Sequence, residues 1–171
     1  MKKKVIAIIP ARSGSKSIKD KNIKQLGNIP LFAWSIKVCL NSKIINKVIV
    51  STDSHKYKKI AMKFGAQQVI IRPSKISKDH STDYEMIKHA ILKIEKEQFD
   101  YIAHIRPTTP FRKFTELDKA IKFFIKSNYH SLRSIHQTPE TVYKCVELTK
   151  SKLLKAIANL NYSIDYLNRP K

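Results

Sequence analysis

Arg12, Lys16 and Lys21 sit in one short polar stretch, Pro10-Ala11-Arg12-Ser13-Gly14-Ser15-Lys16-Ser17-Ile18-Lys19-Asp20-Lys21-Asn22. Cations interleaved with small residues suit an anion-binding turn. The small residues leave backbone N–H groups exposed, and the guanidinium and ammonium groups supply the charge that phosphate oxygens accept. The chain has 3 glycines, Gly14, Gly27 and Gly65. It therefore contains neither GxGxxG nor GxxxxGK[ST], and the turn is neither of the two common nucleotide loops. A triphosphate is still the ligand whose chemistry it fits.

Such a turn needs a rigid element to present it. Directly before it, Val5 to Ile9 is a branched apolar run bounded by Pro10, which predicts a strand buried on both faces. Val48 to Val50, Val69 to Ile71 and Tyr101 to Ile105 read the same way. Between them Tyr57, Ile60, Ala61 and Phe64 share a helical face, with Ser54 placed to cap that helix and Gly65 to stop it. Pro30 suits the first turn of a helix through Leu31-Phe32-Ala33-Trp34, with Trp34 in the core. Thr82 and Glu85 have capping-box spacing, predicting a helix from about 82 to 98. Another is expected after Thr115, with Leu117, Ala120, Ile121 and Phe124 on one face, then strands at Leu132 to Ile135 and near Val142 to Leu148. Alternating strands and helices imply an α/β fold with a mostly parallel sheet, whose ligands gather at the carboxyl ends of the strands.

A length of 171 residues suits one unit, 1–171, and 42% hydrophobic content suits a globular chain. No apolar run approaches the roughly 20 residues needed to cross a bilayer, and the run after Met1-Lys2-Lys3-Lys4 is too short for a secretory segment. Cys39 and Cys145 form neither a disulfide framework nor a zinc cluster, so a cytoplasmic location is expected. A formal charge of +21 raises the question of a polyanion partner. The lysines are dispersed along the chain and do not interleave with aromatics, which favours a small anionic substrate over nucleic acid.

The arrangement Ile-Ile-Pro-Ala-Arg-x-Gly-Ser-Lys with Lys21-Asn22 behind it resembles the first motif of the acylneuraminate cytidylyltransferases. That family comprises CMP-sialic acid synthetases and relatives acting on pseudaminic and legionaminic acids, with the CMP-Kdo synthetases as cousins. The resemblance implies a three-layer Rossmann-like nucleotidyltransferase fold, incomplete at the C-terminus here. It also implies a CTP site with Arg12, Ser15, Lys16 and Lys21 at the phosphates and Asn22 towards the cytosine. Ser17 and Lys19 stand where the family commonly has Gly and Pro, so a less tightly turned loop is expected.

Other segments add to the resemblance. Val50-Ser51-Thr52-Asp53-Ser54 is similar to the family's second strand end, with the role of Asp53 open between orienting substrate or a basic neighbour and serving a helix N-terminus. Arg72-Pro73 and the stretch Asp79 to Asp83 resemble its Arg-Pro segment and the loop over the nucleotide. This implies Arg72 near the base or ribose, and Ser81 and Asp83 against the cytidine; Ser81-Thr82-Asp83 reads equally as a helix cap. In His104-Ile105-Arg106-Pro107-Thr108-Thr109-Pro110-Phe111-Arg112, Arg106 replaces a commoner Gln at a substrate-binding position. Arg112 is either a surface charge or a carboxylate partner. His136, in Ser134 to Pro139, reads as a packed or water-bonded histidine.

The implied reaction joins CMP from CTP to an acidic nine-carbon sugar for surface glycan synthesis, releasing pyrophosphate. Arg12, Lys16 and Lys21 are the catalytic set, and Mg²⁺ would bridge phosphate oxygens. The family's metal-binding aspartates and dimer arm lie in a carboxyl-terminal segment, whereas this sequence stops at Asn168-Arg169-Pro170-Lys171. The expectations are no metal ligands within this chain, a homodimer at full length, and weak CTP binding with little turnover. Alternatives are an inactive nucleotide-binding remnant, a basic nucleic-acid-binding domain, or an enzyme for Kdo or another sugar.

Overall fold

The computed structural model describes residues 3–15, 17–94, 98–135, 146–148 and 154–156. They fall in two compact units, Met1–Leu132 and Arg133–Lys171.

The first unit is built on β1 (Val5–Pro10), β4 (Ile45–Thr52), β5 (Gln68–Ile71) and β6 (Tyr101–His104), in the order β5-β4-β1-β6. Every pairing in this sheet is parallel, with Ile8 of β1 opposite Ile49 on one side and His104 on the other. β1 has no polar face: Val5 to Ile9 are all at most 3% exposed. Alternation along the strand sends Ala7 and Ile9 to one layer and Ile6 and Ile8 to the other. The first layer contains Phe32 and Ile36 of α1 (Leu31–Asn41) and Tyr57 and Ala61 of α2 (His55–Lys63). The second contains Met86 and Ala90 of α3 (Asp83–Lys93). This is the expected three-layer, mostly parallel arrangement. Among the described residues no helix is long and apolar enough to cross a membrane.

Helix boundaries follow local chemistry. The Ser54 side chain accepts from the Tyr57 N–H and opens α2, and Gly65 at φ 92 closes it. A Cβ at Gly65 would stand 2.9 Å from the exposed end of the Leu40 side chain, which can move aside, so it is the backbone conformation that favours glycine. Thr82 and Glu85 form the reciprocal capping box that starts α3. α4 (Phe114–Lys126) is tied to the end of α1 by buried Asp118, which accepts from the Ser42 hydroxyl and from the Lys43 N–H.

Several expectations are corrected. α3 ends at Lys93, short of 98. Leu132 to Ile135 is exposed and forms no strand. The predicted strand near 142–148 is Val146–Leu148 (β7), antiparallel to Leu154–Ala156 (β8) in the second unit. Ala120 is exposed while Leu117 and Ile121 face inward, because the stripe of α4 is narrower than the spacing implies. A small hairpin, β2 (Gln25–Leu26) with β3 (Ile29–Pro30), turns at Gly27 with φ 64. Trp34 is half-buried beneath it, donating its indole N–H to the Leu26 carbonyl at 3.0 Å, and is not a core residue.

Two stability outcomes follow from these contacts. Gly65→Ala is expected to lower stability by about 1–2 kcal/mol, since a methyl group is placed in a left-handed backbone. Asp118→Ala is expected to cost about 1–3 kcal/mol by leaving the Ser42 and Lys43 donors unpaired. Urea unfolding followed by circular dichroism measures both; an unchanged midpoint for Asp118→Ala would remove that carboxylate from the account of α1–α4 docking.

Candidate functional site

The carboxyl ends of all four parallel strands open on one edge, and each delivers a polar segment there. After β1 the chain stays anchored briefly, with the Ala11 N–H donating to the Ser51 carbonyl at 2.8 Å, and then leaves the sheet as the Arg12–Asn22 loop. Carboxylates hold that loop at both ends. Asp53, just past β4, accepts from the Ser13 N–H at 2.7 Å and from the Ser13 hydroxyl at 3.1 Å. Asp20, in a left-handed conformation at φ 54, accepts from the Tyr57 hydroxyl at 3.0 Å. The Tyr57 ring is fully buried, and that burial, reinforced by Asp20, pushes its phenol above the ordinary range. It therefore acts as a neutral donor from the core to the loop.

Within the loop, buried Asn22 donates its side-chain amide to the Arg12 carbonyl at 2.9 Å, bracing one end of the turn against the other. Lys21 begins the 3₁₀ turn Lys21–Ile23 and is half-buried; Ser15 is half-buried, with its N–H on the Ser13 carbonyl at 2.9 Å. Lys16 and His136 lie outside the described residues. A Cβ on Gly14 would meet nothing within 4 Å, so packing does not require glycine there. Gly14 and Arg12 form one wall of a cleft of about 450 Å³ whose other wall is Ser77 to His80. Across it the Arg12 guanidinium meets Asp79 at 2.7 Å.

Arg72 leaves β5 with its N–H on the Thr52 carbonyl at 2.8 Å, and only 7% of the residue is exposed. Its Nε has no hydrogen-bond partner. Burial lowers its pKa, Asp53 and Asp83 oppose that shift, and Arg12 adds to it. Arg72 thus feels the charges of three of the other segments. Asp83, the first residue of α3, is ion-paired with Arg106 from the loop after β6. The Ser81 hydroxyl accepts from the Lys78 N–H at 3.0 Å, closing the turn before Thr82 caps the helix. Of the residues picked out in the sequence, Arg12, Ser15, Lys21 and Asn22 share the loop, Arg72 lies within its electrostatic reach, and Asp83 and Arg106 form a pair beside it.

Sequence reasoning left the role of Asp53 open and assigned none to Asp20, Asp79 or His104. Asp53 holds the loop, and Asp79 neutralises its arginine. His104, at the carboxyl end of β6, is half-buried with Nε2 unpartnered; burial lowers its pKa, Asp83 opposes that, and Arg106 adds to it. Position at a strand end was the available signal for Asp53 and His104. Nothing in the sequence marks Asp79 as the partner of Arg12. Arg112 lines a second cleft, of about 560 Å³, beside Trp34 and Phe111, and its Nη1 is buried without a partner. Among the described residues no three His, Cys, Asp or Glu side chains gather where they could hold a metal ion.

The arrangement is a polar, partly pre-formed cleft with Arg12 on its wall and further polar groups beside it. Replacing Asp53 with Ala is expected to speed hydrogen exchange at the Ser13 amide about tenfold, leaving that at Ile8 unchanged; equal rates in both proteins would refute the brace. His104 is predicted to make stability depend on pH. Its folded pKa is depressed, so below the ordinary value of about 6.5 the unfolded chain binds more protons, and stability falls as pH falls. Unfolding midpoints between pH 7 and 5 should decline, and His104→Asn should flatten that decline.

The sequence model of the cytidylyltransferase family matches residues 6–171. An N-acylneuraminate cytidylyltransferase of Escherichia coli O18:K1:H7 is 42% identical over 125 residues, covering 72% of this chain and 29% of the relative. A pseudaminic acid cytidylyltransferase of Campylobacter jejuni is 32% identical over 126 residues, covering 72% of this chain and 54% of the relative. The chain therefore spans about a third to a half of the length of these relatives. Among solved structures, a CMP:2-keto-3-deoxy-manno-octonic acid synthetase complexed with CTP superposes with a TM-score of 0.61 at 18% identity, over 71% of this chain and 47% of that one. A cytidylyltransferase of Leptospira borgpetersenii superposes at 0.60 and 21% identity, over 74% of this chain and 50% of that one. At these identities the superpositions establish the nucleotidyltransferase fold. With the motif after β1, the loop it forms and a family match across nearly the whole sequence, this chain belongs to the cytidylyltransferase family.

Proposed function

We propose that this chain carries the nucleotide-binding half of a CMP-sugar synthetase, which transfers CMP from CTP to an acidic nine-carbon sugar of the sialic or pseudaminic type. The observation that carries the reading is the Arg12–Asn22 loop, held at the end of the central strand by Asp53 and facing a cleft of about 450 Å³ with the Arg12 guanidinium on its wall. The relatives named for N-acylneuraminate and pseudaminic acid support the substrate class.

In the proposed reaction the sugar's anomeric hydroxyl attacks the α-phosphorus in line. The bond from that phosphorus to the bridging oxygen breaks, and pyrophosphate departs with the electron pair. Arg12 and Lys16 hold and neutralise the phosphates, Ser15 contributes a hydrogen bond to them, and Lys21 stabilises charge on the leaving group. Asn22 and Arg72 flank the base, Ser81 and Asp83 the cytidine, and Arg106 the sugar side. Mg²⁺ enters the proposal as a counter-ion of the CTP phosphates. Among the described residues no group of three His, Cys, Asp or Glu side chains could seat it. Homodimerisation, a cytoplasmic site of action and a role in surface glycan synthesis belong to the same reading.

Calorimetric titration tests it. CTP is expected to bind in preference to ATP, and Arg12→Ala to weaken CTP by about tenfold or more, the worth of a charge-assisted hydrogen bond. Tight binding to long single-stranded DNA with a steep salt slope, and none to CTP, would replace the reading with a polyanion-binding one.

A further inference from the structure

The cation that the proposed function places against phosphate already has an anion beside it. Arg12 Nη2 lies 2.7 Å from Asp79 Oδ1, and the side chains are 31% and 36% exposed, so an incoming ligand reaches both. Asp79 does not belong to the sheet edge. It sits on a short arm between the 3₁₀ turn Ser74–Ile76 and α3. Local hydrogen bonds shape that arm: the Ser77 hydroxyl donates to the Pro73 carbonyl at 3.0 Å, and the Ser81 N–H donates to the Lys78 carbonyl at 3.1 Å. The cleft is the space between this arm and the phosphate loop. A phosphate chain entering it brings negative charge up to the Asp79 carboxylate, while offering Arg12 the bidentate partner that a guanidinium prefers.

We propose that Asp79 is a built-in counter-ion of the phosphate site: it holds Arg12 in the nucleotide-free protein, and an incoming phosphate chain displaces it from the guanidinium. This rests on the reading of Arg12 as a phosphate ligand and adds a control to it. Affinity for phosphate-bearing ligands is then reduced by the fraction of molecules in which Arg12 is engaged by the protein's own carboxylate. A ligand without phosphate does not enter the competition. The same pair also neutralises a cation that would otherwise stand exposed in a strongly basic chain.

The test uses the 171-residue chain and its Asp79→Asn, Arg12→Ala and doubly substituted forms, titrated calorimetrically with CTP, inorganic tripolyphosphate and cytidine. Asp79→Asn preserves shape and removes the charge. It is expected to tighten CTP and tripolyphosphate by up to about fivefold, the upper end of the range for a partly exposed ion pair, and to leave cytidine unchanged. In the Arg12→Ala background the gain should disappear. Unchanged or weaker binding by a folded Asp79→Asn protein, when the wild type binds CTP, would instead make Asp79 an orienting partner of Arg12 and overturn the counter-ion role alone. A gain that persists without Arg12 would overturn it as well. Failure of the wild type to bind either CTP or tripolyphosphate would remove the nucleotide reading, and this proposal with it.

Discussion

The double-faced burial of β1 is the constraint on which the site depends. Its residues are apolar on both sides, so it is stable only between two helical layers and with a strand on each edge. Connections through helices make those neighbours parallel, and parallel strands bring their carboxyl ends to one edge. Residues distant in the chain, Arg12, Asp53, Arg72 and Arg106, are therefore delivered to the same edge of the sheet. The geometry of the loop is a consequence of the core beneath it.

Carboxylates do most of the shaping at that edge. In a chain with 34 Lys and Arg against 13 Asp and Glu, several of the few acids are found where cations or loop amides converge. Asp53 takes the Ser13 amide and hydroxyl, Asp20 takes the Tyr57 hydroxyl, Asp79 meets Arg12 and Asp83 meets Arg106. Two of the site's arginines are thereby paired, although the sequence as a whole carries a formal charge of +21. These bonds order the loop's backbone before any ligand arrives, and such pre-ordering lowers the entropy a site loses on binding. Tyr57 links this to the core: its ring packs with Phe32 at 6.1 Å while its hydroxyl holds the loop.

Elements with a strong local signal were legible in the sequence. The apolar runs became β1, β4, β5 and β6, Ser54 and Thr82 cap their helices, and Gly65 ends α2, because each depends on neighbours a few residues away. The β2–β3 hairpin was not legible: two-residue strands have no periodicity, and Trp34 anchors it through a hydrogen bond to Leu26 that no pattern announces. The expected strand at Leu132 to Ile135 had β-branched and apolar residues but no partner strand among the described residues, and it is exposed.

For the site, residue types and order were enough to single out the polar turn behind β1 and to suggest an anionic ligand, because its cations and small residues lie together in one short stretch. Only the tertiary structure decided what surrounds that turn. Asp53 lies 40 positions from Ser13, and its grip on the loop exists because β4 pairs with β1 in a register that ends both strands together. Asp79 reaches Arg12 because the segment between β5 and α3 crosses the same edge. Residue type sets what a side chain can bind; the parallel register sets which side chains meet.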